Sequence, residues 1–167
     1  MGVERKVGKM LVLAISYGVG PEKIARSIGC SEKEARDLID QFSEEFPDIL
    51  KYKSKVIRMA RQNSPIPYVE TIFGRRRYLP ELKSVENGLK FRAERQAFNT
   101  VIQGSAADLW KSALLRVSKY VKTKPEIKLI AGVHDSILFS MPKSCVEREV
   151  PNLVKLIEEL PEEISIR

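Results

Sequence analysis

Apolar positions in the opening segment recur at helical spacing. Turned by about 100° per residue, Val7, Met10, Leu11, Ala14 and Ile15 share one arc. The pattern predicts a helix from about Glu4 to Ser16, ended by Tyr17-Gly18 and a Val-Gly-Pro turn. Pro21 suits the first position of a short helix, Glu22 to Ile28, stopped by Gly29. Ser31 and Glu34 have capping-box spacing and open a helix to about Phe46. Pro47 restarts a helical stretch through Arg61, with Ile49, Leu50, Val56, Ile57 and Ala60 as candidate buried positions. Asn-Ser-Pro-Ile-Pro breaks it.

The period then changes. Alternation from Tyr68 to Tyr78 predicts a small, very basic β-hairpin turning at Phe73-Gly74-Arg75. A long helical stretch follows from about Val85 to Tyr120, bent near Gly104 and ended by a Lys-Thr-Lys-Pro turn. Two apolar strands, Ile127 to Val133 and Ser136 to Phe139, flank His134-Asp135. The last helix is predicted from about Ser144 to Leu160 with Pro151 as a kink, and Glu-Ile-Ser-Ile-Arg reads as the start of a strand. These elements amount to a mostly helical α+β fold without internal repeats.

At 167 residues the chain suits one ordinary domain, or a pair of small packed lobes. Its 43% hydrophobic and 31% charged content is that of a globular protein, and no apolar run approaches the ~18–20 residues of a membrane helix. The basic N-terminus lacks a small-residue cleavage site, so the chain is expected in the cytoplasm rather than secreted or at a membrane. Cys30 and Cys145 stand apart without metal-ligand spacing, which argues for a reducing compartment and against zinc.

Charge changes the picture once it is located. From Lys51 to Arg95 twelve basic residues face four acids, a local +8 within a net charge of +7. That is the footprint of a partner with a phosphate backbone, although a solvated Lys-rich face produces the same run.

Three rows of side chains carry candidate chemistry. Arg5, Lys9, Leu13 and Tyr17 line up at i+4 steps on the face of the first helix away from its apolar arc. Cations on the first turns oppose the helix dipole but suit a polyphosphate; a solvent-facing stripe has the same spacing. Arg95, Asn99 and Gln103 form a second row, opposite Ala97, Phe98 and Val101. One Arg and two carboxamides offer donors to the acceptors that every base pair presents in the minor groove; an ordinary polar face is the alternative. Asp135, beside the chain's single histidine His134, sits where a hairpin could project a carboxylate toward Mg²⁺, or cap its own turn.

Together these stretches resemble the C-terminal half of the family A (DNA polymerase I-like) DNA polymerases. Arg5, Lys9, Leu13, Tyr17 and Gly18 are similar to the family's motif B. TIFGRRRYLPEL matches its Thr-x-x-Gly-Arg-Arg-Arg-x-x-Pro segment at Thr71, Gly74, Arg75, Arg76, Arg77 and Pro80. ERQAFNTVIQGSAADLWK is similar to its ER-x-A-x-N-x-x-x-QG helix, and VHDSI to motif C of the palm. The resemblance implies fingers helices over residues 1–82 and a distal palm with the motif C hairpin over 83–167, part of a polymerase "right hand".

It also implies roles. Arg5 and Lys9 would hold the triphosphate of an incoming deoxynucleotide, with Lys9 also protonating the leaving pyrophosphate. Leu13 would lie against sugar and base, and Tyr17 with Gly18 would meet the template. Arg95, Asn99 and Gln103 would grip the primer–template minor groove, and Arg75, Arg76 and Arg77 would contact DNA. Asp135 would ligate catalytic Mg²⁺ with His134 near the primer end.

Two residues depart from the pattern: Ser136 stands where the family has Glu, and Leu13 where it has an aromatic residue. The motif A aspartate, the second metal ligand of the family, has no counterpart in the 167 residues. Two-metal phosphoryl transfer needs both carboxylates. The reading is therefore the C-terminal portion of a DNA-directed DNA polymerase that needs a companion chain supplying motif A, thumb and the rest of the palm. A catalytically inactive DNA- and nucleotide-binding remnant, or a decayed fragment, are the competing readings.

Overall fold

The computed structural model describes residues 5–160, with side chains from Val7 onward. The predicted C-terminal strand and the Arg5 side chain lie outside the described residues. The chain divides between Ile102 and Gln103 into two compact units.

The first unit begins with α1 (Arg5–Ser16). Its apolar arc faces inward as its spacing requires: Leu11 and Ile15 are buried, with Val7 and Ala14 at the margin. They pack on Ile24 and Ala25 of α2 (Pro21–Ile28) and on Ala35 and Phe42 of α3 (Glu32–Glu45). α1 closes on Gly18, whose φ is 75°, while Val19 N–H donates to Ala14 O and Gly18 N–H to Ile15 O. This is a Schellman ending, and it needs a residue that accepts left-handed backbone. At α3 the predicted capping box forms: Glu34 N–H donates to Ser31 Oγ (3.2 Å) and Ser31 N–H to Glu34 Oε2 (2.9 Å).

A second cluster lies between α4 (Pro47–Gln62) and α5 (Asn87–Asn99). Val56 and Ala60 of α4 meet Ala93 and Ala97 of α5, with Val69, Leu79 and Leu82 filling the remainder. Val56 and Ala60 are buried as predicted, whereas Ile49, Leu50 and Ile57 are half-buried. β1 (Tyr68–Glu70) and β2 (Arg76–Tyr78) pair antiparallel, Tyr68 opposite Tyr78. A 3-10 turn, Pro80–Lys83, leads to α5.

The long helical stretch predicted from Val85 is interrupted. Val85 is fully exposed, and Glu86 N–H donates to Ser84 Oγ at 3.1 Å, a local turn that delays the helix to Asn87. The predicted bend near Gly104 is a π-helical turn over Thr100–Gly104, after which α6 (Ser105–Lys122) resumes.

In the second unit α6 packs with α7 (Lys143–Glu158), and β3 (Lys128–Val133) pairs antiparallel with β4 (Ser136–Ser140). The register shifts between Leu129 and Ala131, which makes Ile130 a bulge. Gly132 admits α6: a methyl group there would lie 2.5 Å from two ring carbons of Trp110. Arg116 fastens the far end of α7, donating to Leu156 O (3.0 Å) and Glu159 O (2.5 Å). Pro151 lies inside α7 as predicted.

A fully enclosed carboxylate joins α6 to α7. Glu149 accepts from Tyr120 Oη at 2.6 Å, from Arg148 Nε at 2.7 Å and from Lys124 Nζ at 3.3 Å. The Tyr120 hydroxyl, then Arg148, hold its pKa down to about 2, against the opposing effect of burial, with Lys124 assisting.

A folded-state pKa below the ordinary 4.5 means that the unfolded chain binds the proton more readily. The stabilisation from Glu149 is complete above pH 4.5 and should be lost as pH falls toward 2. Urea unfolding at stepped pH should show the midpoint falling through that window. Glu149→Gln should lower the midpoint at pH 7 and flatten the acid limb; an unchanged limb would remove Glu149 from the account.

Candidate nucleic-acid interface

The row on α1 is real as far as its side chains are described. Lys9 and Leu13 are exposed and Tyr17 is half-buried. With Met10, Ala14 and Val19 they line a shallow concavity of about 490 Å³. Leu13 and Tyr17 also border a second, apolar pocket of about 450 Å³, floored by Tyr52, Phe98, Ile49 and Ile102. The Tyr17 and Tyr52 rings each stand 6.2 Å from Phe98, in tilted and edge-on contact. Sequence spacing gave no sign of Tyr52 and Phe98 as the ring partners of Tyr17, because both sit on other helices.

Beyond Tyr17, the Gly18 turn abuts α4 and α5. A methyl group on Gly18 would lie 2.7 Å from Lys53 Nζ and 3.5 Å from Arg95 Cγ. Gly18 and Arg95, assigned separately from sequence, are thus neighbours, and Lys53 joins them unannounced by any motif. Burial holds the Lys53 ammonium below its ordinary pKa; Glu94 opposes this and Arg95 adds to it.

The basic hairpin is partly spent on itself. Thr71 organises its turn, exchanging backbone bonds with Arg75 and Gly74 and accepting from Arg75 N–H on Oγ1 at 3.2 Å. Arg76 Nε donates to Glu70 Oε1 at 2.8 Å and its guanidinium lies 4.6 Å from the Tyr68 ring centre. Arg77 Nη1 donates to Thr100 Oγ1 at 3.2 Å, and that hydroxyl donates to Gln96 O at 2.7 Å. Arg77 therefore reaches the first residue of the π turn.

Arg95 and Asn99 are exposed on α5, opposite buried Ala97 and Phe98, as the row predicts. Gln103 is exposed but falls within the π turn rather than on a continuous α-helix. Its i+4 step from Asn99 is therefore not that of an α-helical stripe.

In the second unit His134 and Asp135 form the two-residue tip between β3 and β4, both exposed. His134 has φ 55°, left-handed backbone that costs roughly 1–3 kcal/mol in a non-glycine residue. Ser136 Oγ stands 3.5 Å from Asp135 Oδ1. Among the described residues no group of three His, Cys, Asp or Glu side chains could hold a metal ion. The tip thus supplies one carboxylate, and these residues alone do not fit a two-metal centre.

The model for DNA polymerase family A matches residues 2–166. The chain is 37% identical to DNA polymerase theta of Drosophila melanogaster across 91% of its length, and 37% identical to DNA polymerase I of Streptococcus pneumoniae across 96%. It spans 8% and 18% of those relatives. Among solved structures it is similar to the polymerase domain of Pol1 from M. smegmatis in complex with DNA primer-template and dNTP. That likeness has a TM-score of 0.80 and 31% identity, and covers 96% of this chain and 28% of that one. No helix among the described residues is long and apolar enough to cross a membrane.

Thr100→Val removes the hydroxyl that links Arg77 to Gln96 O. It should cost about 1 kcal/mol in urea unfolding and speed hydrogen exchange of the amides 100–104. Arg77→Met should reproduce the faster exchange, and the double variant should cost less than the two singles summed. Strict additivity would mean that the Arg77–Thr100 bond does not hold the turn.

Proposed function

Because the chain belongs to DNA polymerase family A, we propose that it is the fingers and distal palm portion of a DNA-directed DNA polymerase. The observation that carries this reading furthest is the α1 stripe: Lys9, Leu13 and Tyr17 border one concavity whose end is the Gly18 turn beside Arg95. An ammonium followed by an apolar contact suits the phosphates, then the sugar and base, of a deoxynucleoside triphosphate, and the aromatic ring beyond them suits stacking on a template base. In this reading Arg5 and Lys9 take the triphosphate, where charge builds on the leaving group. Leu13 lies against the sugar and base, and Tyr17 with Gly18 meets the template.

Residues 1–82 then act as fingers and 83–167 as distal palm, a functional partition distinct from the packing boundary at Ile102. Arg95, Asn99 and Gln103 supply donors to the primer–template minor groove, and Arg75, Arg76 and Arg77 supply positive charge to the DNA backbone. Asp135 contributes one carboxylate toward Mg²⁺, with His134 beside the primer end. A second carboxylate must come from outside these 167 residues, on a companion chain or on further polypeptide. The solved relative in complex with primer-template and dNTP supports both ligands. The single carboxylate and Ser136 favour a second reading, a remnant that binds DNA without extending it.

Primer extension by the 167-residue chain, alone and mixed with the complementary portion of a family A polymerase, separates the two. Extension is expected only in the mixture, and Asp135→Ala should reduce it at least a hundredfold. Undiminished extension by Asp135→Ala would overturn the polymerase reading; salt-dependent binding without extension in any mixture would establish the remnant.

A further inference from the structure

Lys53 and Arg95 bring two cationic side chains to one turn of the first unit. Both converge on Gly18, one by its ammonium and the other by its side-chain stem. Among the described residues neither has a hydrogen-bond or ion-pair partner; the nearby carboxylate of Glu94 is engaged by Arg61. Lys53 is half-buried, and its ammonium stands 6.0 Å from the Phe98 ring centre, at the outer limit of a cation–π contact. Its depressed pKa, caused first by desolvation with Arg95 adding to it, reports the same lack of compensation. Two cations thus flank one turn, the Lys53 ammonium partly desolvated and the exposed Arg95 close enough to add to its repulsion, and an anion held there would compensate both.

The surrounding chain narrows what that anion is. The Gly18 and Val19 amides are committed to the Schellman ending, so the backbone offers no donors there and the side chains must hold the ligand. A planar fork and a point charge on facing helices suit a tetrahedral oxyanion, which can accept from both at once. Glycine at the turn leaves the room that the Lys53 ammonium takes up.

We propose that Lys53 and Arg95 clamp one phosphate over the Gly18 turn, and that the backbone of a nucleic-acid strand supplies it. The assignment rests on the polymerase reading for the strand, but the phosphate site itself does not depend on it. The five N–H groups of Arg95 leave donors for the groove edge as well.

The test uses the 167-residue chain and its Lys53→Met, Lys53→Arg and Arg95→Met variants. Without ligand, Lys53→Met should unfold at a temperature equal to or higher than the parent, since it removes an uncompensated charge. Anisotropy titration with a primer–template bearing a template overhang, repeated across salt concentrations, gives the decisive number. Lys53→Met should weaken binding several-fold at low salt and lower the slope of log K against log salt by about 0.9, the value for one phosphate. Lys53→Arg should restore the slope. The Lys53→Met/Arg95→Met double variant should lose no more slope than one phosphate accounts for.

An unchanged slope in Lys53→Met, or a marked loss of ligand-free stability, would overturn the clamp. If the parent chain binds no DNA, the polymerase reading fails and inorganic tripolyphosphate decides the site. Thermal stabilisation of the parent but not of Lys53→Met would keep the phosphate clamp and reject the strand as its source. Stabilisation of neither, or of both equally, would overturn the clamp.

Discussion

The close approach of α4 to α5 is the constraint on which the first unit depends. Ala60, Ala93 and Ala97 are all but fully enclosed, and side chains this small let the two helix backbones draw near. Helical periodicity then fixes the rest. With Ala93 and Ala97 inward, Arg95 and Asn99 turn outward. On α4 the same geometry sets Tyr52 and Lys53 beside Phe98, so that the last turn of α1 ends against aromatic rings and cations rather than in open solvent.

The second unit relies on a polar constraint. Enclosing Glu149 would be costly without donors, and Tyr120 of α6, Lys124 in the turn after it and Arg148 of α7 supply them. Such a fully satisfied network tolerates only one relative placement of α6 and α7. The hairpin tip is built differently. Ile130, Val133 and Leu138 are each more than half exposed, so the position of Asp135 comes from strand pairing and from the left-handed backbone of His134 rather than from a surrounding core.

Local signals were legible in the sequence because local physics writes them. The Ser31–Glu34 box, the Pro21 and Pro47 starts, the Gly74 turn and the two hairpins depend on neighbours in the chain. So did the outward rows on α1 and α5, which follow from periodicity alone. What spacing could not convey was long-range. The Arg77–Thr100 bond spans 23 positions and the Tyr120–Glu149 bond 29, and nothing at either end marks the partner. The π turn was legible only as a bend at Gly104, since insertion of an extra residue in a helical ladder leaves little trace in composition. It was also the feature that broke the assumption of an unbroken row through Gln103.

The charge count from Lys51 to Arg95 changes meaning in three dimensions. Arg61 is paired with Glu94, Arg76 with Glu70 and Lys51 with Asp48, while Arg77 donates to Thr100. A run of basic residues that reads as one field is therefore partly neutralised within the fold. Natural folds tend to violate local consistency where function requires it. By that criterion the exposed, solvated lysines of the segment say little, since water compensates them. Lys53 differs because its ammonium is half-buried, with the side chain of Arg95 beside it at the same turn, so that water compensates it less. The partial desolvation, rather than the abundance of charge, is what marks the Gly18 turn as a place where this surface meets an anion.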